Sequence, residues 1–169
     1  MDDLLVVAPD KKLYGQIIST ILIIFGSGIM IKSFSGLFGI YEIPYFVGVI
    51  LTIFVFIVLI NAFNLIDGID GLASGIGIVI SLCFVYIFYR IFDYGIGILA
   101  VSTLAVLLGF GRYNLSKKFK IFMGDTGSMV IGFILTFMAI RFLYISETSS
   151  LGLKTGPVLL LFIFVIPIV

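Results

Sequence analysis

The sequence predicts an all-α protein that crosses a membrane as a bundle of about six helices. Hydrophobic residues make up 62% of the 169 residues and charged residues only 11%, whereas soluble domains are about half apolar and about a quarter charged. A mean hydropathy of +1.33 leaves too little polar surface for a fold that is solvated by water. The apolar runs are continuous and do not alternate with polar residues, which argues against a β-barrel.

Six stretches approach the roughly 20 apolar residues that a transmembrane helix needs. The first follows two lysines, the second follows Pro44, and the third ends just before Arg90. The fourth follows Asp93, the fifth follows a loop that contains glycine, and the sixth reaches the final residue. The predicted spans are 13–31, 45–63, 72–89, 94–110, 128–145 and 157–169. Because the loops between them are short, the chain is treated as a single transmembrane region, 1–169.

Composition also excludes several classes of protein and site. A net charge of +1 gives no reason to expect a nucleic-acid partner, and the lone Cys83 rules out an internal disulfide. The chain has no histidine, which excludes zinc sites that use histidine. A transporter or channel subunit would place charged residues or helix breaks at mid-membrane. Here the acidic residues flank the spans, so this class is disfavoured.

Alternating spans place segments 1–12, 61–71 and 111–127 on one face of the membrane. These segments hold six of the ten Lys and Arg residues, which assigns this face to the cytoplasm by the positive-inside rule. They also hold six of the nine acidic residues, which are Asp2, Asp3, Asp10, Asp67, Asp70 and Asp125. Every candidate catalytic carboxylate therefore falls on one predicted face.

The segment 61–71 carries four polar side chains at intervals of three residues, which are Asn61, Asn64, Asp67 and Asp70. On a helix this spacing keeps the groups on one slowly drifting stripe. Carboxylates at the edge of an apolar span are costly unless they are paired or bound to a metal. Carboxylate and amide oxygens suit Mg²⁺, which also binds substrate phosphates. The alternative is a structural loop, in which Asp and Asn cap the next helix and Gly68 and Gly71 turn the chain.

The segment 120–128 lies between the fourth and fifth predicted spans and holds Asp125 between Gly124 and Gly127. Glycines allow a ligand to approach the backbone closely, and the start of the following helix favours a phosphate. Four basic residues just upstream could attract a polyanion, although the positive-inside rule explains them as well. The alternative for Asp125 is a plain N-cap of the fifth helix.

Three strings occur in a fixed order along the chain: DDLLVVAPDKKLYGQ, NAFNLIDGIDGLASG and KIFMGDTGS. Taken alone, the acidic pair Asp2 and Asp3 would be a frayed, solvated terminus. With all three strings the chain resembles the polyprenyl-phosphate N-acetylhexosamine-1-phosphate transferase family. That family includes the undecaprenyl-phosphate GlcNAc-1-phosphate transferases and the phospho-MurNAc-pentapeptide translocase. The string GLFGIYEIP, and Ile66 where the translocase is expected to carry Thr, favour the GlcNAc-1-phosphate branch.

The resemblance implies transfer of a sugar-1-phosphate, GlcNAc-1-phosphate in this branch, from a UDP-N-acetylhexosamine to a membrane polyprenyl phosphate such as undecaprenyl phosphate. The products would be a polyprenyl-diphosphate sugar and UMP, in the first membrane step of cell-wall or lipopolysaccharide synthesis. It also implies Mg²⁺, with Mn²⁺ as the alternative, an active site on the cytoplasmic face of the inner (plasma) membrane, and a homodimer as a further expectation. The alternatives that stay open are the MurNAc-pentapeptide translocase activity, and a non-catalytic fragment or structural membrane subunit.

The same resemblance implies roles for individual residues. Asp125 and Asn64 are the expected metal ligands, with Asp67 beside them as a catalytic residue. Asp2 and Asp3 match the acidic pair that activates the lipid phosphate, and Lys12 matches a lysine near the phosphates. The expected substrate-binding residues are Asp70 at the uridine end, Phe122 under the uracil ring, Asn114 and Asn61.

The chain departs from the family pattern in two ways. Family members carry further spans before the acidic pair and a late cytoplasmic loop with a motif that contains histidine and arginine, whereas this sequence has one residue before Asp2 and no histidine. We therefore expect the chain to be the central part of a longer enzyme. By itself it is expected not to catalyse transfer.

Overall fold

The computed structural model describes residues 9–34, 39 and 41–148, and this part of the chain contains five α-helices and no strand. The helices are α1 (Pro9–Ser27), α2 (Tyr45–Ile66), α3 (Leu72–Arg90), α4 (Tyr94–Asn114) and α5 (Gly124–Thr148). Within these residues, four segments are long and apolar enough to cross a membrane: Tyr45–Ile66, Leu72–Arg90, Tyr94–Asn114 and Gly124–Ser146. The predicted all-α, polytopic fold class is confirmed, and the protein is a multi-pass membrane protein. The sixth predicted span, 157–169, lies outside the described residues.

The first predicted span, 13–31, is wrong at both ends, because α1 covers Pro9–Ser27. Gly28 ends the helix with a φ of 67°, a left-handed conformation that glycine adopts at no steric cost. Its N–H donates to Ile24 O at 2.9 Å, a bond typical of helix C-termini that end in glycine. α1 is not one of the four candidate spans, since charged residues occupy its first turn.

The apolar run beyond Gly28 packs against the start of α2 outside any helix. Ile29, Met30 and Ile31 are buried, and Ile31 N–H donates to Thr52 Oγ1 at 3.0 Å. A Cβ on Gly48 would lie 2.6 Å from Ile31 O, so only glycine allows the two backbones to approach here. Hydropathy overestimated the first span because this apolar segment is buried by the protein itself.

Two pairs of helices, α3 with α4 and α2 with α5, form the most extensive contacts of the bundle. The aromatic side chains of Phe63, Phe84, Phe88 and Phe142 are fully buried in its core. α2 and α5 approach closely at Gly132, as small residues permit between membrane helices. Because segment 61–67 ends α2 and α5 begins at Gly124, this pairing brings the two motif segments together.

An ion pair links α5 to the connection between α3 and α4, at the end of the bundle opposite the two motif segments. Asp93 caps α4 by accepting a hydrogen bond from Ile96 N–H at 3.4 Å. Arg141 of α5 donates from Nε to Asp93 Oδ2 at 3.0 Å. The pair links α5 to the connection between α3 and α4, so that neither charge is left unpaired in an apolar region.

Candidate active site

The ends of α2 and α4 and the starts of α1, α3 and α5 meet at one end of the bundle, which we call the site end. Side-chain contacts cross between these elements from Lys12 to Asp125, from Asn64 to Asp125, and from Asp70 to Lys120. The three predicted motif segments therefore converge, as far as the described residues reach. Asp2 and Asp3 lie outside the described residues.

Asp125 is the residue on which α1, α2 and α5 converge. Lys12 Nζ of α1 donates to Asp125 Oδ2, and Asn64 Nδ2 of α2 lies 3.4 Å from Asp125 Oδ1. Asn64 Nδ2 also donates to Ser128 Oγ at 2.7 Å, which fixes the amide against the first turns of α5. Sequence reasoning did not select Ser128, although it belongs to the KIFMGDTGS string.

The alternative in which Asp125 is a plain N-cap is wrong. α5 begins at Gly124, whose φ is 69°, so Asp125 already lies in the first helical turn. Its carboxylate oxygens contact Lys12 and Asn64, which belong to two other helices. The side chain is 58% exposed, so it remains accessible to a ligand.

Asp67 lies beside Asp125 at the C-cap of α2. Burial raises the pKa of the Asp67 carboxyl, and the nearby charge of Asp125 raises it further, while a hydrogen bond from Gly124 N–H opposes the shift. Both causes that raise the pKa penalise negative charge at this point. A bound cation would relieve that penalty.

The donor set of Asn64, Asp67 and Asp125 fits a magnesium ion. It offers two carboxylates and one amide, and Mg²⁺ is commonly bound through one or two carboxylates together with waters and substrate phosphates. Among the described residues, no group of three His, Cys, Asp or Glu side chains lies close enough to hold a metal. Asp70 is therefore not a third carboxylate of this site.

Asn61 begins the polar stripe, and its contacts lead to a residue that sequence reasoning missed. Asn61 Nδ2 donates to Gln16 Oε1 at 3.1 Å and to Ile57 O at 2.7 Å. Gln16 is 7% exposed, and its Nε2 contacts Met129 Sδ of α5 at 3.5 Å. The sequence signal that could have identified Gln16 was a polar residue one helical turn after Lys12, inside an apolar run.

Asp70 forms a second cluster with Lys120 and Phe122. Lys120 Nζ lies 2.5 Å from Asp70 Oδ2 and 4.9 Å from the centre of the Phe122 ring. Phe122 is 69% exposed, so its ring offers an accessible aromatic surface next to two charges. Such a surface could stack a nucleobase.

Asn114 braces the loop that carries this cluster. It is 5% exposed, accepts a hydrogen bond from Gly71 N–H at 2.6 Å and donates to Ile121 O at 2.9 Å. Gly71 has a φ of 76°, a left-handed conformation that favours glycine, and a Cβ there would displace the Leu115 side chain. The turn predicted at Gly71 is present. The predicted capping of α3 is not, because Asn61 and Asn64 lie inside α2 and neither Asp67 nor Asp70 caps α3.

A groove of about 350 Å³ lies between α1 and α5 beside the contact of Lys12 with Asp125. Its lining includes Lys11, Lys12, Gln16, Thr126, Met129 and Phe133. The groove is basic at the site end and becomes apolar towards Phe133, as a lipid with an anionic head group would require.

Comparison with known proteins supports the interpretation drawn from the motifs. The model of the family described as Glycosyl transferase family 4 matches residues 1–143. The phospho-N-acetylmuramoyl-pentapeptide-transferase of Nautilia profundicola is 36% identical over 85 residues, which cover 42% of this chain and 24% of that protein.

Two further relatives carry the same name. The protein of Enterococcus hirae is 36% identical over 73 residues, covering 37% of this chain and 22% of its own length. That of Staphylococcus epidermidis is 38% identical over 72 residues, covering 36% and 22%. The chain thus spans about a quarter of the length of the curated relatives it matches. The family match extends over most of the chain and includes all three motif segments. The chain therefore belongs to Glycosyl transferase family 4.

Proposed function

We propose that the protein transfers a sugar-1-phosphate from a UDP-N-acetylhexosamine to a polyprenyl phosphate, at a magnesium-dependent site on the cytoplasmic face of the plasma membrane. The observation that carries the proposal is the convergence of Lys12, Asn64, Asp67 and Asp125 at the site end. Family membership supports the reaction class, and the carboxylates beside a groove lined by two lysines support a cation site there.

The chemistry joins two anions, so positioning and charge neutralisation must supply most of the catalysis. A phosphate oxygen of the lipid attacks the phosphorus that carries the sugar, the bond from that phosphorus to UMP breaks, and UMP leaves. Lys12 would contribute positive charge where the two phosphate groups meet. Mg²⁺ bound by Asp125, Asp67 and Asn64 would supply further neutralisation of the developing charge.

The second cluster would hold the nucleotide. The exposed Phe122 ring provides a stacking surface for uracil, and Asp70 provides hydrogen-bond acceptors beside it. Lys120 contacts both residues, so its ammonium group would have to give way to the base or turn towards the diphosphate. Asn114 would act on this cluster by bracing the loop, through its bonds to Gly71 and Ile121.

Two sugars are candidates. The GLFGIYEIP string and Ile66 favour GlcNAc-1-phosphate, which we propose as the group transferred. The second candidate is phospho-MurNAc-pentapeptide, and it is favoured by the names of the matched relatives. The former would place the protein in cell-wall or lipopolysaccharide precursor synthesis, and the latter in peptidoglycan precursor synthesis.

The test is a transfer assay on the purified full-length protein with undecaprenyl phosphate and either UDP-GlcNAc or UDP-MurNAc-pentapeptide. UMP and lipid-linked sugar are measured with Mg²⁺, with Mn²⁺ and with EDTA. The matched control for Asp125→Asn is Asp10→Asn, an exposed carboxylate in the first turn of α1. We expect transfer that depends on metal, is lost in Asp125→Asn and is kept in Asp10→Asn. No transfer with either sugar, or full activity of Asp125→Asn, would reject the proposal.

A further inference from the structure

Gln16 joins α1 to two other helices through a buried amide. Its side chain is 7% exposed, accepts a hydrogen bond from Asn61 Nδ2 of α2 at 3.1 Å, and reaches Met129 Sδ of α5 at 3.5 Å. Gln16 follows Lys12 by four residues, so the two side chains share one face of α1, about 6 Å apart along the axis. The helix that carries Lys12 is therefore tied to the helices that carry Asn64 and Asp125.

The contact of Lys12 with Asp125 is too weak to hold α1 in place by itself. The two side chains are 29% and 58% exposed, and exposed ion pairs add little stability because solvent screens them and long side chains lose freedom. A buried amide behaves differently, since leaving its donor or acceptor unpaired in an apolar region is costly. The depth and rotation of α1 are therefore determined more by Gln16 than by Lys12.

We propose that Gln16 is a positioning residue that holds α1 in the register where Lys12 Nζ lies over Asp125. Its bonds to Asn61 and Met129 lock the helix one turn beyond the lysine. Gln16 acts on catalysis through the position of Lys12. The inference rests on the proposed function for its catalytic consequence, while the positional claim stands on the contacts alone.

The variant that tests this role is Gln16→Met, which keeps the length and apolar contact of the side chain but removes the bonds of the amide to Asn61 and Met129. Thr20→Val is the matched control. Thr20 is fully buried one turn further along α1, and its Oγ1 donates to Gln16 O of the same helix at 2.8 Å. Both variants remove a buried polar group from α1, but only Gln16→Met removes a link to another helix.

In the transfer assay on the full-length protein, Gln16→Met should lower kcat about tenfold, because small misplacements of a charged group are costly in catalysis. The KM for the UDP-sugar and the activity of Thr20→Val should change by less than about twofold. In a Lys12→Met background, Gln16→Met should have almost no further effect, since the two residues act as a unit. Equal losses in Gln16→Met and Thr20→Val, or full additivity with Lys12→Met, would assign Gln16 to general stability only and overturn the proposal.

A second measurement does not depend on activity. Lys11 and Thr126 line the same groove from α1 and α5, so Lys11→Cys with Thr126→Cys in a Cys83→Ala background should be joined by a short bifunctional thiol reagent. We expect Gln16→Met to reduce the yield of cross-linked protein several-fold and Thr20→Val to leave that yield unchanged. An unchanged cross-linking yield in Gln16→Met refutes the positional claim. If Gln16→Met lowers the yield but the unmodified protein catalyses no transfer, only the proposed function is refuted.

Discussion

Replacing Gly132 by alanine should force α2 and α5 apart at the contact that aligns the two motif segments. An added Cβ would lie 3.1 Å from Phe63 Cβ, 3.2 Å from Ile60 Cα and 3.4 Å from Ile60 O. Carbon atoms in favourable contact are about 3.5–4.0 Å apart, so the helices would have to separate by several tenths of an ångström. Two of the three atoms belong to the α2 backbone and cannot rotate away.

The expected loss in the free energy of unfolding follows from comparison with a glycine beside which an added Cβ meets open space. Overpacking of this kind costs about 1–3 kcal/mol, whereas alanine in place of a helical glycine contributes up to about 1 kcal/mol of stability. Gly109 of α4 has nothing within 4 Å of an added Cβ, so Gly109→Ala receives only the second effect. The free energy of unfolding should therefore be about 1–3 kcal/mol lower in Gly132→Ala than in Gly109→Ala.

The assay is thermal unfolding of both full-length variants in the same detergent, followed by circular dichroism because the chain has no tryptophan. Gly132→Ala should unfold at a lower temperature than the unmodified protein, and Gly109→Ala at the same or a higher temperature. If the two variants were equally stable, the close approach of α2 and α5 would be refuted as the contact that joins the motif segments.

Three further predictions concern the site end. Asp125→Asn should reduce kcat/KM at least about a hundredfold, because a metal ligand contributes several kcal/mol of charge stabilisation; normal turnover would limit Asp125 to a structural role. Phe122→Ala should raise the KM for the UDP-sugar and leave kcat nearly unchanged, since base stacking is worth about 1–3 kcal/mol and is equal in the ground and transition states. Its control is Phe119→Ala, a similarly exposed residue of the same loop, and a lower kcat at constant KM would contradict the stacking role. Asn114→Leu should destabilise the protein by about 1–3 kcal/mol in thermal unfolding, because Gly71 N–H loses its acceptor; an unchanged midpoint would show that the brace is dispensable.

Hydropathy predicted the start of three helices correctly and their ends less well. α2, α3 and α4 begin at the predicted residues 45, 72 and 94, but α2 and α4 continue for three and four residues beyond the predicted ends at 63 and 110. Helices continue past the apolar run because backbone hydrogen bonds, not lipid contact, define where they end. For the same reason α5 begins four residues before the predicted 128 and includes Asp125.

From the sequence alone we predicted a helical membrane protein whose candidate carboxylates Asp67, Asp70 and Asp125 lie on one face, while in the structure Asp93 pairs with Arg141 at the opposite end of the bundle. Both properties follow from local composition and from the alternation of spans, which can be read along a single chain. The tertiary structure alone decided which side chains meet: Lys12 with Asp125, Asn61 with Gln16, and Lys120 with Asp70. These partners lie 113, 45 and 50 residues apart in the chain. Their contacts depend on how the helices, and the connections that follow α2 and α4, pack against one another, which no periodicity within one helix specifies.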